Sequence, residues 1–229
     1  MTGHETYEDR FLRNEKGQWV KGRVLPIEME YKKRVAISEA KKQQPNLSPS
    51  EPLAYLLGII LGDGSVSKTG TTYTIKLNTI DKPFARSFKE VLKSIGLRAH
   101  MYPLNRYGLY TVQSSSVIFG DWFHSLTPDN ILELILSRKV YCRAFIRGFY
   151  ESEGNTKKCP NGHRGTSMCN TELWKLELVS SALRAIHLKH HIKGPYIRSG
   201  KKFAYNLSII KRHPIDEEFF REINPCIKR

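Results

Sequence analysis

Ser48-Pro49-Ser50-Glu51-Pro52-Leu53-Ala54-Tyr55-Leu56-Leu57-Gly58-Ile59-Ile60-Leu61-Gly62-Asp63-Gly64 decides the fold, because the chain repeats its plan later on. The second copy is Cys142-Arg143-Ala144-Phe145-Ile146-Arg147-Gly148-Phe149-Tyr150-Glu151-Ser152-Glu153-Gly154. Each is an apolar run of helix length. In each, a glycine (Gly58, Gly148) precedes a carboxylate (Asp63, Glu153) by five positions, and another glycine follows the acid at once. Ser48 suits an N-cap, Pro49 the first helical position, and Glu51 completes a capping box. Gly64 and Gly154 suit the left-handed conformation that stops a helix.

Each acid then sits at a helix C-terminus, where the helix dipole is already negative. One misplaced acid is a small local cost. Two, at the ends of matching helices, ask for a cation. Gly58 with Gly62, and Gly148 with Ser152, are small residues one turn apart, and small residues let helix backbones approach closely. Helices packed through these faces bring Asp63 and Glu153 to one end. Two carboxylates at short range repel unless divalent cations with oxygen-rich shells sit between or beside them. Glu151 points elsewhere on its helix and is not counted as a ligand.

Leu56 to Gly64 and Ile146 to Gly154 resemble the two signature motifs of the LAGLIDADG homing endonucleases. The resemblance runs from about Ser48 to the C-terminus, with both copies in one chain. It implies a monomeric, site-specific double-strand DNA endonuclease, encoded within an intron or intein, that leaves short 3′ overhangs. It implies Mg²⁺, with Mn²⁺ as a substitute, held by Asp63 and Glu153 and joined by the carbonyls of Gly62 and Ser152. The family adds polar or basic residues around the metal-bound water, and here the match is poor. Ile80 stands where relatives often show a polar side chain, which leaves Lys76, Asn78, Lys157 and Asn170 as candidate supports. The alternative is a non-cutting nucleic-acid-binding protein of the same fold, such as an intron RNA maturase. The acid pair favours the enzyme, because carboxylates facing a polyanion weaken pure binding.

Composition agrees with an anionic partner. The 229 residues carry a formal charge of +15 and a pI near 9.7, which points to nucleic acid, with an acidic membrane surface as the competitor. The longest apolar run, Leu53 to Leu61, is far short of the ~20 residues that span a bilayer. No signal peptide is visible, so the expected place is intracellular and DNA-associated, in a prokaryotic cytoplasm or an organelle. Cys142, Cys159, Cys169 and Cys226 lack zinc-site spacing and read as thiols of a reducing compartment, with a Cys159–Cys169 bridge as the alternative.

Outward from the two motifs, the chain divides into a basic extension (1–47), a first repeat (48–136) and a second repeat (137–229). The extension carries a turn or hairpin at Arg13–Gly22 and a helix over Pro26–Gln43. In the first repeat, Val66–Lys68 and Tyr73–Asn78 read as a hairpin, Asp81 caps a helix through Ile95, and Arg98–Leu104 and Leu109–Ser114 form a second hairpin. Helical segments follow near Ser115–His124 and Pro128–Leu136. The second repeat gives a hairpin with a polar tip at Lys157–Gly165, a helix through Ile186, strands Gly194–Arg198 and Lys201–Ile209, and a helix Pro214–Ile223. Leu77-Asn78-Thr79 is echoed by Cys169-Asn170-Thr171. The period of about ninety residues is too long for a solenoid. The expected architecture is α+β: pseudo-two-fold αββαββα repeats whose antiparallel sheets form a DNA-binding saddle.

Such a saddle would lie in the major groove of a long, imperfectly palindromic duplex. Candidate contacts are Lys68, Tyr73, Lys76, Arg98, His100, Tyr102, Arg106, Tyr110 and Gln113 in the first half. In the second half they are Lys157, Lys158, His163, Arg164, Tyr196, Arg198, Lys201, Lys202, Tyr205 and Asn206.

Overall fold

A computed structural model describes residues 31, 34, 35, 37–39, 42–158, 164–198, 202–210 and 215–227, without the side chains of 157, 158, 164, 198, 202 and 215–217. The expected turn at 13–22 lies outside these residues. The described positions between 31 and 42 are helical and belong to a unit, Met1–Lys42, separate from Gln43–Arg229. This boundary is earlier than the expected limit at residue 47. Gln43 belongs to the larger unit because its side chain bonds the Arg98 amide (2.6 Å) and the Ser115 carbonyl (2.7 Å).

The larger unit runs α1 (Glu51–Leu61), β1 (Ser65–Thr69), β2 (Thr72–Thr79), α2 (Lys82–Ser94), β3 (His100–Tyr102), β4 (Tyr110–Ser115), α3 (Val117–Ser125), α4 (Pro128–Leu136) and α5 (Lys139–Glu153). It continues with β5 (Gly154–Lys158), β6 (Arg164–Asn170), α6 (Leu173–Ala185), β7 (His190–Arg198), β8 (Lys202–Ile209) and α7 (Ile215–Ile223). Two antiparallel four-stranded sheets form, in the orders β1-β2-β4-β3 and β5-β6-β8-β7. The identical order is the duplication expressed in space. The fold is α+β.

Alternation decides which face of each sheet meets the helices. In β2, Ile75 and Leu77 are buried while Lys76 and Asn78 face the other way. In the second sheet, Met168 and Leu207 are register partners, both fully buried. One hydrophobic core runs through α1, α2, α5, α6 and these strand faces. Each sheet therefore turns a second face, here called its free face, away from this core.

Three local expectations change. The cap of α1 is Ser50, whose hydroxyl accepts from Leu53 N, rather than Ser48. Pro52 then sits in the first turn. Gly64 and Gly154 are not left-handed: Gly154 has φ −73°, and Gly64 is absent from the positive-φ glycines. Their need is space. A Cβ on Gly64 would stand 2.8 Å from Ile60 Cα, and one on Gly154 2.3 Å from the Tyr150 carbonyl. Each helix folds straight back into a strand, and only hydrogen fits at the fold. Finally, β7 begins at His190, earlier than the expected Gly194, because register with Ser208 and Ile209 extends the ladder over a polar stretch.

The repeat echo also shifts by one residue. Thr79 Oγ1 accepts from Asp81 N (3.1 Å), and Asn170 Oδ1 accepts from Glu172 N (2.9 Å). Both residues lie on the helix-bearing face at the strand end, opposite Tyr110 and Tyr205 respectively. Thr79, not Asn78, is therefore the counterpart of Asn170.

Candidate functional site: the paired helix ends

The site begins with the packing of α1 on α5, the most extensive helix contact in the unit. A Cβ on Gly58 would lie 2.3 Å from the Phe145 carbonyl oxygen, and one on Gly148 would lie 2.3 Å from that of Tyr55. The backbones touch, and no side chain could stand between them. One turn on, a Cβ on Gly62 would meet Ser152 Cβ at 2.3 Å and Glu153 Cγ at 3.3 Å. Glu153 thus lies against Gly62, and Asp63 is the next residue in the chain. The Ser152 hydroxyl donates to the Gly148 carbonyl of its own helix (3.1 Å) and faces the Ile59 carbonyl of the other (3.5 Å).

Beyond the seam the chain turns sharply. Gly64 N donates to Ile59 O (2.9 Å), which leaves Asp63 exposed on the turn. Glu153 is half-buried as the last residue of α5. Asn170 Nδ2 donates to Glu153 Oε1 (2.9 Å). Asn170 is buried, and its other amide atom bonds Glu172 N, so both ends of this amide are fixed. Among the expected supports whose side chains are described, Asn170 bonds an acid. Asn78 accepts from Thr111 Oγ1 (2.8 Å) on the free face. Lys76 is also on that face, opposite Ser65 and Gln113. Ser65 is two residues past Asp63 in the chain. Lys157 has a strand position opposite Gly165, and its side chain is outside the description.

The donor chemistry at the helix ends is all oxygen: two carboxylates and the last carbonyls of two helices. That set suits Mg²⁺, Mn²⁺ or Ca²⁺ and not a soft metal. Among the described residues no three His, Cys, Asp or Glu converge as a self-sufficient metal centre. An ion here would therefore complete its shell with substrate and water, as Mg²⁺ does.

Register sorts the expected nucleic-acid contacts. Arg98, His100 and Tyr102 share strand parity with Lys76 and Gln113 on the first free face, and Arg98, His100 and Tyr102 are exposed. Arg106 sits in the turn after β3, with its guanidinium 4.7 Å from the Tyr107 ring centroid. Tyr196 and Asn206, with Asn155, Ser167, Cys169 and Ala204, line a concavity of about 500 Å³ on the second free face. Three tyrosines and a lysine take the other, helix-bearing side of their sheets. Tyr73 lies under α3, against Gly120 and 5.2 Å from the His124 ring, because it shares parity with buried Ile75. Lys68 pairs with it across the ladder, on the same side. Tyr110 and Tyr205 pack against the core. His163 and Lys201 lie outside the described residues, as do the side chains of Lys158, Arg164, Arg198 and Lys202.

A buried polar cluster behind the seam is not legible in the residue pattern. Glu151 is fully buried. It accepts from the Tyr55 hydroxyl, from Arg147 Nε (3.0 Å) and from the Cys226 amide (2.5 Å). Burial first, and then the Glu151 carboxylate, push the Tyr55 phenol well above its ordinary value. Burial pulls the Arg147 guanidinium down, but the hydrogen bond and charge of Glu151 outweigh it and raise Arg147 above its ordinary value. The cluster ties α1, α5 and the chain after α7 together two residues from Glu153. No disulfide joins the described cysteines Cys142, Cys169 and Cys226; Cys159 lies outside the description. No described helix is long and apolar enough to cross a membrane.

Residues 50–138 match the family model of the LAGLIDADG-like domain. The chain is similar to uncharacterized protein MJ0314 of Methanocaldococcus jannaschii, 33% identical over 154 residues, which are 64% of this chain and 59% of that protein. The chain therefore spans about three fifths or less of the curated relatives it matches. Its fold is that of the homing endonuclease I-DmoI in complex with DNA and Mn, with a TM-score of 0.55 and 20% identity over 76% of this chain and 96% of that one. It is equally that of the N-terminal LAGLIDADG domain of DUF199/WhiA, with a TM-score of 0.55 and 16% identity over 81% of this chain and 88% of that one.

Proposed function

We propose that the chain, whose residues 50–138 match the LAGLIDADG-like domain, belongs to that family and is a divalent-metal-dependent, site-specific endonuclease of double-stranded DNA. The observation that carries the proposal is the glycine seam, which sets Glu153 against Gly62, the neighbour of Asp63. Fold alone does not decide the matter, since I-DmoI is named a homing endonuclease and WhiA is not. The acid pair favours cleavage. A protein that only binds DNA gains nothing from carboxylates at the negative ends of two helices, where they repel phosphate.

In this reading Asp63 and Glu153, with the Gly62 and Ser152 carbonyls, hold Mg²⁺, with Mn²⁺ as a substitute. A bound divalent ion would supply Lewis acidity at the phosphate and water of lowered pKa. The chain does the rest. Asn170 fixes the rotamer of Glu153 from behind. Lys76, Arg98, His100, Tyr102 and Gln113 on one free face, and Tyr196 and Asn206 on the other, meet groove edges and phosphates. Two similar faces suit a long, imperfectly palindromic duplex read by one chain, with each acid serving one strand. Short 3′ overhangs are the expected product. The direct test is incubation of the protein and Mg²⁺ with a library of duplexes, followed by sequencing of all new ends. Paired cuts at one related set of sites support the proposal. Intact DNA under conditions of measurable binding leaves a binding protein instead, with intron RNA as an alternative ligand.

A further inference from the structure

We propose that the edge of the second sheet carries a phosphate-binding pocket, separate from the paired acids and formed where α6 hands the chain to β7. The pocket is a cavity of about 630 Å³. Arg184, His187, Lys189 and His191 contribute to its wall within eight consecutive residues, and none of the described lining residues is a carboxylate. Cations are normally spread over a surface with acids interspersed. Here the Arg184 and Lys189 cations and two imidazoles line one concavity beside an edge strand, with no acid among the described lining residues.

The wall is built rather than incidental. His190 Nδ1 faces the Leu188 carbonyl at 2.8 Å, and Nε2 faces Ser180 Oγ at 2.7 Å. The carbonyl can only accept, so Nδ1 carries a proton. Burial first, then Arg184 and His191, hold His190 below its ordinary value, against the pull of the Leu188 carbonyl. His190 is thus a neutral strut between α6 and β7, and Arg184, Lys189 and the imidazoles of His187 and His191 beside it are the binding groups. His187, whose φ is +64°, makes the turn that places the following lysine and histidines on the wall. Lys189 is anchored through its carbonyl, which accepts from Ile210 N (2.8 Å). A compact, multiply charged oxyanion fits this chemistry: a guanidinium for bidentate contact, an ammonium and two imidazoles. The shared chemistry is a phosphate group, either free or in a nucleic-acid backbone passing the sheet edge.

The test uses the full chain and inorganic phosphate, titrated against chloride at fixed ionic strength, with the histidine ring C–H resonances as readout. Saturable shifts of His187, His190 and His191 are expected. Arg184→Ala or Lys189→Ala weakens binding about tenfold, the loss of one charge-assisted contact. Both side chains are exposed, so these variants fold. Lys93→Ala, which removes an exposed charge on α2, leaves the titration unchanged. Shifts that never saturate, or that persist unaltered in the Arg184→Ala, Lys189→Ala double variant, overturn the pocket. A duplex that displaces phosphate identifies the backbone as the source; phosphate retained beside bound duplex identifies the free ion. Cleavage is not scored, so the nuclease reading stands or falls separately.

Discussion

Gly148→Ala separates two accounts of the α1–α5 seam by sign. Helix propensity alone favours alanine in a helix interior by about 1 kcal/mol. The geometry opposes it. The new Cβ would stand 2.3 Å from Tyr55 O, 3.0 Å from Ile59 N and 3.2 Å from Ile59 Cγ1. Ordinary carbon–oxygen contacts are about 3.3 Å or longer, so α1 must retreat by about 1 Å. Two of the three obstacles are backbone, which no rotamer change relieves. Overpacking of this kind costs about 1–3 kcal/mol, here near the upper end. Subtracting the propensity gain leaves about 2 kcal/mol of destabilisation. For a chain of this size that lowers Tm by about 4–8 °C. Thermal unfolding followed by circular dichroism, with urea denaturation as a second measure, reads the change. A raised Tm would refute the close contact. Unchanged stability with full cleavage would show that the seam does not set the acids.

Asn170→Ala removes the bond to Glu153 and should lower cleavage through that acid about 10–100-fold. Nicked duplex should then accumulate on gels while affinity holds; unaltered double-strand cutting would remove Asn170 from the site. Glu151→Ala leaves Arg147 without its buried partner and should cost about 3–5 kcal/mol; chemical denaturation checks this, and a change below about 1 kcal/mol contradicts it. The Tyr55 phenol is raised in the folded chain, so the unfolded chain loses its proton first. Stability from this group is complete below about pH 10 and falls as pH climbs further. Tyr55→Phe should flatten that alkaline loss in a Tm-versus-pH series; an identical profile contradicts the assignment. DNA affinity should fall steeply with salt, as for about 6–10 phosphate contacts, and a flat response by fluorescence anisotropy points away from DNA.

What could be read from residues alone was whatever depends on local spacing. Glycines five positions before matching acids revealed both the duplication and the seam, because small residues at that offset have few other uses. Alternation in Tyr73–Asn78 placed Ile75 and Leu77 inward, and it also placed Tyr73 inward. Residue chemistry suggested a base reader there, but pleat parity outweighed it. Gly64 and Gly154 look like helix stops from sequence; in space they are clearance for Ile60 and Tyr150. The Glu151 cluster was hidden because its partners Tyr55 and Cys226 are 96 and 75 residues away. Asn170 was visible as a candidate, but its pairing with Glu153 needed the register that makes Thr79 its counterpart.

The central claim is that Asp63 and Glu153 serve chemistry and not binding. It is tested most directly by measuring duplex affinity and Mg²⁺-dependent cleavage side by side for the unmodified chain, Asp63→Asn and Glu153→Gln. Each substitution is expected to abolish double-strand cleavage while affinity is kept or tightened, as a repulsive charge is removed. Parallel loss of binding and cutting, or cutting that survives both substitutions, would contradict it.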